Sequence, residues 1–101
     1  MSLFKKPYEL VIPPAAKTDP KATELIRVWA AAGAQHISLN TDAWEDPATW
    51  GICLVDLAKL VSDAYHQTKG LDPQQTLARI KEGFDAEWSS PTDEPTGEVL
   101  D

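Results

Sequence analysis

Apolar positions along the chain change their period at Asp46, and that change separates a sheet-like half from a helical half. Between Glu24 and Asn40 an apolar stretch turns over at Ala32-Gly33. In that hairpin register Val28 faces Ile37 and Ile26 faces Leu39, while Arg27, Trp29 and Ala31 face Ser38, His36 and Ala34. One face is then wholly aliphatic and the other mixed, the pattern of a half-buried sheet. The same residues also admit a helix over 20–32, capped by Asp19, opened by Pro20 and ended by Gly33. The hairpin is preferred, because the helix would leave 34–40 as a strand with a poor partner. Its weak point is the turn. Ala-Gly is a mediocre two-residue connection, since the favoured turns need positive φ at the first central position. A longer loop with Gly33 in the left-handed region is expected instead.

Past Asp46 the spacing becomes helical. Asp46 suits an N-cap, Pro47 the first helical position, and Gly70 a stop. Between them Trp50, Cys53, Leu54, Leu57, Val61, Ala64 and Tyr65 recur at intervals of three and four, which predicts a helix over 47–69. Asp72 and Pro73 repeat the start signal, and Leu77, Ile80, Phe84 and Trp88 form one stripe of a second helix over 73–88. Ahead of the hairpin, residues 1–21 carry prolines at 7, 13, 14 and 20 around Leu10-Val11-Ile12, which predicts an extended segment or an edge strand. Residues 89–101 hold two prolines and little apolar content, and are expected as an irregular acidic tail. Within that tail Pro91 to Thr96 is expected to dock on the domain or on a dimer mate, leaving 98–101 free.

The expected architecture is therefore α+β, one domain over 22–88. A small antiparallel sheet is packed against two helices, with Ile26, Val28, Ile37 and Leu39 meeting Leu54, Leu57, Val61, Ile80 and Phe84. A chain of 101 residues has room for one such core.

Composition narrows the function classes. The net charge is −7, and the segment from Phe84 onward supplies six acids with no lysine or arginine. The remainder is nearly neutral, with ten acids against nine bases. No cluster of basic residues exists to displace counterions from nucleic acid or to hold an anionic membrane. The longest apolar run, Val28 to Ala34, is far short of a membrane span. A single cysteine and the lack of a signal-like apolar segment near the N-terminus lead to a cytoplasmic expectation.

Candidate chemistry is sparse. Trp44 and Trp50 flank Glu45 and Asp46 at a helix entrance, either as an aromatic-walled pocket for a cationic or amphipathic ligand or, the preferred reading, as a clamp of the loop onto the core. Trp29 and His36 would lie side by side on the mixed sheet face. The four residues Trp29, His36, Trp44 and Trp50 are the binding candidates. Asp56, Lys59, Asp63 and His66 share one helix stripe; a proton-transfer pair is one reading, a solvated face laced with ion pairs the preferred one. Cys53 on the apolar stripe reads as an inert thiol. Two histidines and one cysteine match no zinc spacing, and no glycine-rich phosphate loop is present, so neither a metal nor a cofactor is expected.

The stretches IPPAA (12–16), ELIRVWA (24–30), QHISL (35–39), WEDPATWGICLVDLAKLV (44–61) and FDAEWSSPTDEPTG (84–97) resemble a small family of uncharacterised bacterial proteins of about this length. The resemblance implies an α+β domain without an assigned activity and brings no catalytic residue. Family members carry a basic residue followed by histidine where this chain has Lys59-Leu60, which weakens a catalytic role for that helix. The functional expectation is a non-enzymatic interaction module, partnering itself as a homodimer or another protein. The alternative is a small enzyme or enzyme subunit using Asp56, Asp63, His66 or His36 for proton transfer.

Overall fold

The computed structural model describes residues 8–92 and, as backbone, 96–99. In chain order the elements are α1 (Pro14–Thr18), β1 (Ile26–Ala31), β2 (Ala34–Leu39), α2 (Ala48–Lys69), α3 (Pro73–Ser89) and β3 (Thr96–Val99). The α+β class holds, and so do both long helices and the hairpin. Helix over 20–32 is replaced by strand β1.

β1 and β2 pair antiparallel in the expected register, with Ile26 opposite Leu39, Val28 opposite Ile37 and Trp29 opposite His36. The turn differs from expectation. It has only two residues, and both take positive φ, 51° at Ala32 and 75° at Gly33. Such a turn matches the right-handed twist of the strands, so it wins over a longer loop despite left-handed backbone at an alanine.

The sheet has a third strand, and it is not the N-terminal one. β3 lies parallel to β2, His36 opposite Thr96 and Leu39 opposite Val99, giving the order β1-β2-β3. Residues 8–13 form no strand, and Pro14–Thr18 turn into a short helix instead. The irregular tail expected over 89–101 is thus corrected at 96–99, where backbone pairing with β2 supplies order that side-chain pattern does not announce. Thr92 anchors the approach, donating through its backbone N–H (3.0 Å) and its hydroxyl (3.1 Å) to the Glu87 carboxylate. Residues 93–95 and 100–101, including the Asp93 turn and the free end, lie outside the described residues.

Local chemistry explains the helix bounds. Asp46 Oδ1 accepts from Ala48 N–H at 3.0 Å just ahead of α2, and Pro47 already has helical φ and ψ. Gly70 ends α2 in the left-handed conformation, its N–H donating to His66 O. Asp72 caps α3 by accepting from Gln75 N–H at 2.9 Å, with Pro73 at the first turn. The two helices form an antiparallel hairpin whose coverage is concentrated near their shared turn. Ser62 is buried there and donates to the Pro73 carbonyl, and His66 Nδ1 sits 3.0 Å from Leu71 O. Coverage fades along α3, where every residue from Lys81 onward is exposed, whereas Thr49, Trp50 and Cys53 at the start of α2 are half-buried.

The expected packing of sheet on helices is not made within one chain. Among the described residues no strand Cα lies within 8 Å of a Cα in α2 or α3. No hydrophobic side chain among them is buried. The radius of gyration is 16.2 Å, where a compact chain of 100 residues has about 13 Å. Amphipathic stripes state that a face is to be covered; they do not state which molecule covers it.

Candidate interaction surface

The hairpin register gives the sheet two unlike faces. Ile26, Val28, Ile37 and Leu39 make the aliphatic one; Arg27, Trp29, His36 and Ser38 make the other. Residues ahead of β1 run alongside that strand. Arg27 donates to both carboxylate oxygens of Glu24 (2.9 and 3.0 Å) and to Glu9 at 3.0 Å, tying the N-terminal segment to β1. Hydrogen bonds and charge from Glu24, with Glu9 adding to them, hold the Arg27 guanidinium above its usual pKa. An open cleft of about 670 Å³ runs between Leu10–Pro13 and Ala22–Trp29 beside that tie. Ile26 and Val28 of the aliphatic face also line that cleft, yet Val28 is 52% exposed and Ile26 38%, while Ile37 and Leu39 are half-buried.

The helical arm repeats the situation. Leu54 and Leu57 of α2 are about half exposed, as is Phe84 of α3. Phe84 and Trp88 stack with centroids 5.7 Å apart at 23°, and Trp88 is 78% exposed. These residues sit on the stripes expected for the core, so sequence reasoning placed them correctly on a face but missed them as surface. Their i, i+4 aromatic spacing was the available signal.

The four binding candidates fall into two separate pairs. Trp29 and His36 are direct cross-strand partners, and His36 Nε2 lies 3.1 Å from Ala31 O. Trp44 and Trp50 meet edge to face, centroids 4.9 Å apart at 73°, both half-buried. That contact is a clamp between the connection 40–47 and the first turn of α2. Asp42 N–H donating to Asn40 Oδ1 at 2.9 Å stiffens the same connection.

The residues considered for proton transfer do not assemble. His36 is on the sheet and His66 at the far end of α2, each with a ring nitrogen on a backbone carbonyl. Neither Asp56 nor Asp63 pairs with His66 among the described residues, and the expected ion pairs of Lys59 are likewise not formed. The helix ion pairs run instead on α3, Arg79 with Glu82 and Lys81 with Asp85, the latter raising the Lys81 pKa. Cys53 is a free, half-buried thiol. No three His, Cys, Asp or Glu side chains converge among the described residues as a metal site requires. No helix among them is long and apolar enough to cross a membrane.

Fold and surface together define a small α+β chain with exposed apolar side chains on its sheet and helices among the described residues. The chain belongs to the family described as a domain of unknown function, DUF5076, whose family model matches residues 9–92. The resemblance seen in the sequence is thereby identified. The chain is also similar to a solved structure from the photosynthetic bacterium Rhodopseudomonas palustrus CGA009, which carries the provisional description of a pyruvate dehydrogenase. Identity is 33% and the TM-score 0.75, over 97% of this chain and 100% of that one. No curated protein matches.

Proposed function

We propose that this protein is a non-enzymatic interaction module whose folded unit is a homodimer. One observation carries the reading: no hydrophobic side chain is buried among the described residues, although the sequence supplies two well-formed apolar faces. Burial of apolar surface is the dominant favourable term in folding. A chain that leaves Ile26, Val28, Leu54, Leu57 and Phe84 exposed draws that term from association. Trp29 and His36, side by side on one sheet face, fit anchoring roles in such a module.

The provisional description of the Rhodopseudomonas relative favours a second reading, an enzyme or an enzyme subunit. That reading needs a carboxylate paired with a histidine, and among the described residues neither His36 nor His66 forms an ion pair with Asp56 or Asp63, each ring contacting a backbone carbonyl instead. The interaction reading is therefore preferred. Sedimentation velocity on the full chain at micromolar concentration tests it. A dimer whose population falls on dilution together with helical circular dichroism is the expected result. A stable, folded monomer at every concentration overturns the proposal.

A further inference from the structure

We infer that two copies of this chain exchange their helical arms, the α2–α3 hairpin of each copy covering the Ile26, Val28, Ile37 and Leu39 face of the other. The inference rests on the dimer reading above and specifies what that dimer is made of.

The first support is how the arm is attached. The chain leaves the sheet at Leu39, runs out along α2, returns along α3 and rejoins the sheet as β3 parallel to β2. A crossover between parallel strands ordinarily lies down on its own sheet, because that is how both apolar faces become covered. Here the crossover stands away, with no Cα of either helix within 8 Å of a strand. The connection at its base is locally ordered, with Trp44 against Trp50, Asp42 N–H donating to Asn40 and Ala48 N–H donating to Asp46. Exchange of an element between copies satisfies the layer contacts from a second molecule.

The second support is area. The chain has 9190 Å² of accessible surface, where a compact monomer of 11.1 kDa has about 5,700 Å². The excess is about 3,500 Å² per chain, and even half of it is about twice what one partner gives to a standard interface. That is the size of an obligate interface, as a second copy covering both the sheet face and the arm would make.

Third, the two open faces complement each other. The sheet offers β-branched and leucine side chains on one side only, and the arm offers Leu54, Leu57 and Phe84 on its sheet-proximal half. A second copy brings both halves of this layer in equal number, and a twofold axis uses each of them twice. An unrelated protein would have to cover two faces that no strand–helix contact joins. Pairing through the edge of β1 is disfavoured, because the Glu9–Arg27 tie keeps the N-terminal segment beside that edge.

The test uses the full wild-type chain. Equal amounts of ¹³C,¹⁵N-labelled and unlabelled protein are unfolded together and refolded, and isotope-filtered NOE spectra select contacts between chains. Methyl contacts from Val28 or Ile37 to Leu54, Leu57 or the Phe84 ring are expected in the filtered spectrum. Finding those contacts only within one chain overturns the exchange while leaving the dimer standing. A dimer whose filtered contacts run only from helix to helix does the same. A monomer in the sedimentation experiment removes the dimer reading and the exchange with it.

Val28→Asp and Leu57→Asp give an independent check on material that folds only in mixture. Each variant alone is expected to lose the dimer. Refolded together, the pair is expected to regain a heterodimer with one intact sheet–helix layer, at half or more of the wild-type dimer signal. Failure of the mixture to regain any dimer, with wild type dimeric under the same conditions, overturns the exchange.

Discussion

Val28 and Ile37 are direct partners across the hairpin, yet about half of Val28 is left open by its own chain. The pair marks the centre of the aliphatic sheet face, flanked by Ile26 and Leu39, and it makes the difference between a free and an associated chain measurable. On a free monomer an aspartate at 28 would be solvated and cost little. Against a second copy it removes about 2 kcal/mol of apolar burial and brings a charge into the layer. Val28→Asp is therefore expected to weaken the dimer at least about 30-fold, read as a shift in the sedimentation isotherm. An unchanged isotherm would place this face outside the interface.

The same pair shows what was legible in the sequence. Period-two alternation on both sides of Ala32-Gly33 fixes which residues oppose one another, so the register is legible in the sequence. Asp-Pro starts and Gly70 did the same for the helices, whose bounds rest on local hydrogen bonds. What could not be read was non-local. β3 is Thr-Gly-Glu-Val, a segment with no alternation of its own, and only the free edge of β2 makes it a strand. Leu57 and Phe84 bear the pattern of buried residues, and amphipathicity is silent on whether the cover comes from the same chain. Among the candidate residues, Trp29 with His36 and Trp44 with Trp50 emerged as neighbours because sequence spacing fixes both contacts. Nothing in the sequence said that the two pairs belong to different parts of the fold.

The turn offers a test of local strain. Ala32 holds φ at 51° and Gly33 at 75°. A left-handed backbone costs a residue with a Cβ roughly 1–2 kcal/mol, and asparagine tolerates it better than alanine. Ala32→Asn creates the preferred Asn-Gly pair and is expected to stabilise the fold by about 1 kcal/mol. Gly33→Ala should lose about 1–2 kcal/mol, and purely through the backbone, since a Cβ there meets nothing within 4 Å. Urea melts of both variants at one protein concentration decide the sign of each.

Ser62 joins the two helices. It is 2% exposed and donates to the carbonyl of Pro73 in the first turn of α3. Ser62→Ala is expected to cost about 1 kcal/mol, the net value of one such hydrogen bond. Amide exchange should quicken around residues 58–66 and 73–80 while the hairpin 26–39 keeps its protection. Equal quickening in the sheet would mean that arm and sheet unfold as one unit.

Asp72 starts α3 by a single contact, its Oδ2 accepting from Gln75 N–H at 2.9 Å, and no acidic residue follows in the first turn to share the task. Asp72→Ala should therefore cost about 1 kcal/mol, within the usual range for a lost N-cap. Asp72→Asn keeps an acceptor at that position and loses only the charge beside the positive helix end, so it should recover most of the difference. The ratio of the two effects separates the hydrogen bond from the dipole, and raising the salt concentration should narrow the gap between aspartate and asparagine while leaving the alanine deficit in place. Thermal melts of the three proteins at low and high salt supply the comparison. If alanine and asparagine destabilise equally, the Gln75 contact contributes nothing measurable, and the start of α3 is set by Pro73 and by the packing of Ser62 against it.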